Sequence, residues 1–334
     1  MNKNSHKIVF FGSDLICLPC LQYLHRQGDA SCWKLVAIVS QPDRKKGRGQ
    51  SLKPNPVSEY AKLNNIKLFQ PEKPDDLLVQ WMRDQADLSF VMAYGHFLNK
   101  AIREACPLGM FNFHGSELPK FRGASPIETA LASGESVTGV TFMKIEHKMD
   151  AGAVADYEEV QILKEDTAIS LRSKIGDAVV PLLKRVLPKL SDGSLIWEEQ
   201  LESNATYCRK LNKMDGLIDF NLSAENIFDR WRAFYIWPGS FFYHKDQIIK
   251  LGAIEIYKGS HDFNLGLPAG TILKNDKNNG LIILTGKGLV RLLELQRPSG
   301  RMLSADIFLL GYPLAVGECL IGGTRSTLLS HHGK

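Results

Sequence analysis

Asn112 and His114 stand two residues apart at the end of the apolar run Met110–His114, so in a strand both side chains leave from one face. Downstream, Asp150 sits in the loop Lys148-Met149-Asp150-Ala151-Gly152, between two further predicted strands and within reach of an imidazole. An amide, an imidazole and a carboxylate together suit acyl transfer to an amine. Attack by the amine turns a carbonyl into a tetrahedral oxyanion, which the Asn112 N–H and a protonated His114 could stabilise by hydrogen bonds. Asp150 would orient the imidazole, favour its charged form and help remove the amine's extra proton, directly or through water. No covalent enzyme intermediate is needed. Each residue alone also reads as a turn former or a satisfied polar group; the combination carries the chemistry. Ser116 as a nucleophile lacks the Gly-x-Ser-x-Gly elbow such a serine requires.

Those residues need a scaffold that brings strand ends together. The candidate strands are Lys7–Phe11, Leu35–Ser40, Lys67–Phe69, Leu88–Val91 and Met110–His114. Helical patterns fall between them near Leu15–Arg26, Pro56–Asn64 and Leu77–Gln85. This alternation predicts an α/β fold with a doubly wound, mostly parallel, Rossmann-like sheet, whose ligands sit beyond the carboxyl ends of the strands. Gly12, Tyr94-Gly95 and His114 all fall there. Strands at Thr138–Ile145 and Ala153–Gln161 and a long helix over Thr167–Leu190 complete this unit. The chain from Leu195 to Arg209 is polar and aperiodic and reads as a linker. Beyond it, Gly239–Tyr243, Ile248–Tyr257, Gly270–Asn275, Gly280–Thr285 and Gly288–Gln296 follow one another as strands, predicting a small β-barrel, with an OB-like one the leading choice. The expected division is a first domain over 1–194, a linker over 195–209, a second domain over 210–325 and a tail over 326–334.

Composition narrows the class. With 44% apolar and 23% charged residues the chain reads as globular, and no apolar run is long enough to span a membrane. Six cysteines form neither a disulfide framework nor a paired zinc pattern, and Cys17-x-x-Cys20 reads as helix packing, which fits a cytoplasmic protein. The histidines show no metal-binding spacing, and neither Gly-x-Gly-x-x-Gly nor a Walker-type loop occurs, so no metal and no nicotinamide or nucleotide phosphate is expected. Acidic and basic residues balance over 1–204, so the whole net charge of +5 lies in 205–334, which points toward a polyanionic partner.

The run Asn112-x-His114-x-Ser116-x-Leu118-Pro119-x-x-Arg122-Gly123-x-x-Pro126-Ile127, with Asp150-Ala-Gly152, resembles the signature of the folate-dependent formyltransferases. The resemblance implies catalytic roles for Asn112, His114 and Asp150. It places Ser116, Glu117, Leu118 and Pro119, with Tyr94 and Gly95 of another loop, around 10-formyltetrahydrofolate as formyl donor. Glu117 stands where the family usually has an apolar residue, and Asp14 where a proline is usual. Over nearly its whole length the chain is similar to the branch of that family acting on methionyl-tRNA. Residues 41–57 resemble the loop by which that branch engages the acceptor stem, and Arg44, Lys45, Lys46 and Arg48 would supply phosphate contacts. Residues 211–220 and 232–239 resemble the opening of its tRNA-holding barrel. The implied partners are initiator methionyl-tRNA and folate, with no membrane and a monomeric protein. An aminosugar nucleotide as acceptor, or a catalytically idle tRNA-binding protein, are the alternatives. The intact Asn112, His114 and Asp150 set argues against the latter.

Overall fold

Ile8, Val9, Phe10 and Phe11 are all fully buried in the computed structural model, which describes residues 5–27, 32–46, 51–259, 266–276 and 280–331. A strand apolar on both faces belongs at the centre of a sheet covered on both sides. In chain order the first unit begins β1 (His6–Phe11), α1 (Leu18–Gln27), β2 (Trp33–Val39), β3 (Arg44–Lys46), β4 (Ser51–Lys53), α2 (Pro56–Leu63), β5 (Leu68–Phe69), α3 (Asp76–Gln85) and β6 (Leu88–Val91). It continues α4 (Lys100–Arg103), β7 (Met110–His114), β8 (Arg122–Gly123), α5 (Pro126–Ala132), β9 (Val137–Lys144), β10 (Val154–Gln161) and α6 (Ala168–Asp192).

The main sheet has the order β10-β9-β7-β6-β1-β2-β5. Its members from β7 to β5 are parallel, and β9 and β10 add an antiparallel edge. This is the doubly wound, mostly parallel sheet expected. Ile8 and Phe10 join one core with α1, α2, α5 and α6, whereas Val9 and Phe11 join another with α3 and α4. The chain leaves β1 for β2 and later returns to β6 on the other side of β1, which sets the topological switch point between β1 and β6. Helix α6 clamps one face. Leu171, Ile175, Val179, Leu182 and Val186 form its buried stripe, Ser170 accepts the Thr167 N–H at its start, and Gly193 ends it in the left-handed conformation.

The second unit holds β11 (Tyr207–Cys208), α7 (Ala224–Ala233), β12 (Ser240–His244), β13 (Gln247–Ile256), β14 (Ile272–Asp276), β15 (Gly280–Leu284), β16 (Leu289–Gln296), β17 (Leu303–Ser304), α8 (Ala305–Gly311) and β18 (Leu329–Ser330). Strands β12-β13-β16-β15-β14 form one antiparallel sheet, with β17 beside β16. Residues 317–321 bond to both of its edges: the Leu320 N–H donates to the Gly270 carbonyl, and Ile321 exchanges both backbone bonds with Tyr243. The sheet so curls around Phe220, Phe242, Leu281 and Leu292, an OB-like arrangement.

Helix α7, capped by Ser223 accepting the Asn226 N–H, ties the two units together. Ala224 and Ile227 enter the second core, while Ala233 and Phe234 enter the first. Residues 195–209 are no free spacer. Trp197 stacks on Phe111 with centroids 5.4 Å apart, Glu198 and Val154 exchange backbone bonds at 2.8 Å, and β11 lies between β8 and β18 in a three-stranded sheet. Residues 326–330 return to the same place: Ser326 donates to Asp215, and the Thr327 carbonyl accepts from Arg209.

Candidate active site

The side chains of Asn112 and His114 project at the carboxyl end of β7, beside the ends of β6 and β9, with Asn112 registered against Val91 and Met143. A cavity of about 750 Å³ opens there. Its walls come from the segments following β1, β6 and β7 and from the loop between β9 and β10, so the switch point is also the site. Asn112, His114 and Asp150, separated by 38 residues at most, line it together.

His114 is fixed from two directions. Its Nε2 lies 2.9 Å from the Phe121 carbonyl oxygen, and since a carbonyl only accepts, that nitrogen carries a proton. Nδ1 is the nitrogen left facing Asp150 Oδ2, 3.7 Å away. Asp150 Oδ2 in turn accepts the Gly123 N–H at 2.8 Å. Phe121 and Asp150 both hold positive φ, +58° and +51°, a region that costs a non-glycine residue free energy and persists only where surrounding bonds enforce it. Those bonds are present. Thr206 Oγ1 accepts the Phe121 N–H and the Thr206 carbonyl accepts the Arg122 N–H, while Gln200 Nε2 donates to the carbonyls of Asp150 and Gly152. Gly152 is required at its position, because a Cβ there would stand 2.1 Å from the Lys144 carbonyl oxygen.

The Asn112 amide makes no hydrogen bond with any described residue and is free for a ligand. Two buried polar atoms of residues that line the cavity, Tyr94 Oη and His96 Nδ1, have no partner among the described residues. Burial pushes the Tyr94 phenol up to about 12, so it stays a neutral donor. Gln41, which begins the basic segment, donates to the Tyr94 carbonyl at 2.7 Å and joins that segment to the cavity rim. On the opposite rim Arg172 spans Asp14 and Glu128, at 2.7 and 2.8 Å. Unpartnered polar atoms of residues lining a cavity fit a flat heterocycle with polar edges.

One part of the expected folate set falls elsewhere. Ser116, Glu117, Leu118 and Pro119 stand outside the cavity lining. Ser116 is fully buried and its hydroxyl donates to the Lys120 carbonyl, so it is spent within its own loop, and Glu117 is exposed beside Lys120. Tyr94 and Gly95 do line the cavity.

The basic segment forms a two-stranded ribbon, with Arg44 opposite Lys53 and Lys45 opposite Leu52. Asp43 anchors its root, accepting from Ser58, Lys62 and Gln70; burial would raise its carboxyl, but these donors and the Asn55 N–H outweigh it and hold it at about 2. Arg44 and Lys45 are exposed, and Glu72 lies 3.9 Å from Arg44. Lys46 ends β3, and Arg48 lies outside the described residues. No group of metal-binding side chains occurs among the described residues, and no helix there is long and apolar enough to cross a membrane.

Fold and site together define a formyl transferase. Residues 6–187 match the formyl transferase family and residues 210–313 its C-terminal domain. The chain is 34% identical over 315 residues to a methionyl-tRNA formyltransferase of Sulfurihydrogenibium sp. (strain YO3AOP1), covering 93% of this chain and 99% of that one. It is 32% identical to that of Thermus thermophilus over 94% and 99% of the two chains. Among solved structures, the sugar 3N-formyl transferase WlaRD matches with a TM-score of 0.63 at 18% identity, over 89% of this chain and 99% of that one. The methionyl-tRNA formyltransferase from Clostridium thermocellum matches with 0.55 at 14%, over 76% and 95%. The chain belongs to the methionyl-tRNA formyltransferase family.

Proposed function

We propose that this chain transfers the formyl group of 10-formyltetrahydrofolate to the α-amine of methionyl initiator tRNA, giving formylmethionyl-tRNA for translation initiation. The observation that carries this reading is the free Asn112 amide standing beside the His114–Asp150 pair in a cavity whose wall offers unpartnered polar atoms. The bound donor supplies a formyl carbonyl with a folate nitrogen as leaving group.

Asn112 donates to the formyl oxygen, where negative charge develops, and a protonated His114 Nδ1 adds a second donor. Asp150 orients the imidazole and takes up the proton that the attacking amine must lose. Tyr94 and Gly95 bind the folate, and the cations Arg44, Lys45, Lys46 and Arg48 contact acceptor-stem phosphates. Residues 116–119 serve by shaping the loop that carries His114's partner carbonyl. In this reading 1–194 is the catalytic domain, 195–209 the connection, 210–325 the tRNA-binding domain and 326–334 its tail.

The cavity lining comes from a single chain, which supports a protein acting as a monomer. All six cysteines are free, which supports a cytoplasmic location. The family relatives and the exposed basic ribbon favour tRNA over an aminosugar nucleotide as acceptor. The test is mass analysis of the amino acid released from initiator tRNA after incubation with protein and donor: formylmethionine supports the reading, and unmodified methionine refutes it.

A further inference from the structure

Gln200 sits in the segment between the two units, 50 residues from Asp150 in sequence, yet its side chain is bonded to the catalytic turn. Nε2 donates to the Asp150 carbonyl at 2.9 Å and to the Gly152 carbonyl at 2.7 Å. Oε1 accepts from Arg122 Nε at 3.0 Å. The amide orientation is therefore fixed, since only the oxygen can face an Arg N–H and only the nitrogen can face two carbonyls. Arg122 is itself 1% exposed and is held by Glu202 and the Tyr207 hydroxyl, both 2.8 Å from Nη1. The segment is anchored on each side of Gln200, by the Glu198–Val154 bonds before it and by β11 after it.

Nothing on Gln200 touches the cavity, so it contributes no group to the reaction. Its three bonds instead close a ring around the positive-φ Asp150: the backbone of the turn is held by Gln200, and the Asp150 carboxylate is held by the Gly123 N–H next to Arg122. We infer that Gln200 is a positioning residue, whose side-chain amide locks the Asp150 turn against His114 from the connecting segment. The inference rests on the catalytic reading of Asp150 given above. It also makes the connection between the units part of the active site's support, so that the catalytic geometry depends on a segment that carries none of the reacting groups.

The experiment compares Gln200→Glu, which keeps the length and the Arg122 contact but turns a second oxygen toward the two carbonyls, and Gln200→Met, which removes both contacts. Each is made in the wild-type and in the Asp150→Asn background, and turnover, both KM values and binding of tetrahydrofolate by fluorescence are measured. A displaced catalytic group costs turnover rather than binding, so each variant is expected to lower kcat about tenfold to a hundredfold. KM and folate affinity should stay within about twofold. In the Asp150→Asn background the same changes should cost less than about threefold, because groups that act through one another are not additive. Equal losses in the two backgrounds, or a loss confined to KM, would overturn the inference. Full activity in Asp150→Asn alone would instead overturn the catalytic reading. Should Gln200→Glu fail to give a cooperative melt, Gln200→Met decides by the same comparison.

Discussion

His114 and Asp150 are bound to the same short stretch of backbone at the start of β8: the imidazole donates to the Phe121 carbonyl and the carboxylate accepts the Gly123 N–H, leaving Nδ1 and Oδ2 3.7 Å apart. Their relative position is set by backbone, which does not rotate away when the cavity empties. Loss of His114, or of the neighbouring Asn112 amide, removes a donor aimed at the developing oxyanion. Asn112→Ala and His114→Ala are each expected to lower kcat about a hundredfold to a thousandfold with folate binding retained, measured in single-turnover formyl transfer. Unchanged turnover in either would remove that residue from the mechanism.

The Asp150 turn depends on a close backbone approach. An alanine at Gly152 would bring Cβ to 2.1 Å from the Lys144 carbonyl, and backbone cannot yield as a flexible side chain can. Gly152→Ala is expected to cost about 1–3 kcal/mol in urea unfolding. Turnover should fall with it, because the turn carrying Asp150 must shift.

Tyr94 offers a sharper separation of binding from stability. Its hydroxyl is buried without a partner among the described residues, a state that costs free energy unless a ligand relieves it. Tyr94→Phe is therefore expected to leave the melting temperature equal or higher and to weaken folate binding several-fold in fluorescence titration. A fall in stability with unchanged affinity would place the hydroxyl outside the folate site.

Acid should loosen the junction between the units. Burial alone would raise the Asp215 carboxyl, but Arg209, the Asn212 N–H and the Ser326 hydroxyl outweigh it and hold it at about 2, below its ordinary 3.8. A group whose folded pKa is depressed contributes stability above its unfolded pKa and loses it as pH falls through the folded one. Unfolding free energy is thus expected to drop between about pH 4 and pH 2, and Asp215→Asn to be less stable at pH 6 with a flatter dependence below it. Parallel curves for the two proteins would contradict this origin.

Arg44 and Lys45 are exposed on the ribbon. Arg44→Ala and Lys45→Ala are each expected to raise the KM for tRNA and to lower the salt dependence of binding by about one phosphate contact. Affinity for folate should be unchanged. A defect confined to folate would contradict the assignment.

Much of this is legible in the sequence itself. The strands of the main sheet announce themselves as short apolar runs, and the two-residue period places Asn112 and His114 on one face. Asp150 is legible as an acid between two strands. The connecting segment is not: Gln200, Thr206 and Tyr207 are ordered by partners 50 to 85 residues away, and such bonds leave no periodic trace in the sequence. The direction of Ser116 is equally hidden, since a tight loop follows no period and its hydroxyl turns inward to Lys120. Likewise, the ribbon of β3 and β4 reads as a charged loop, because strands of three residues are too short to show alternation.

The most direct measurement is the specificity constant for formyl transfer from labelled 10-formyltetrahydrofolate to three acceptors: methionyl initiator tRNA, methionyl elongator tRNA and an aminosugar nucleotide. A kcat/KM for the initiator that exceeds both others by about a hundredfold or more, and that collapses in His114→Ala, is the expected result. Transfer to the sugar amine with none to initiator tRNA, or tRNA binding without any transfer, would contradict it.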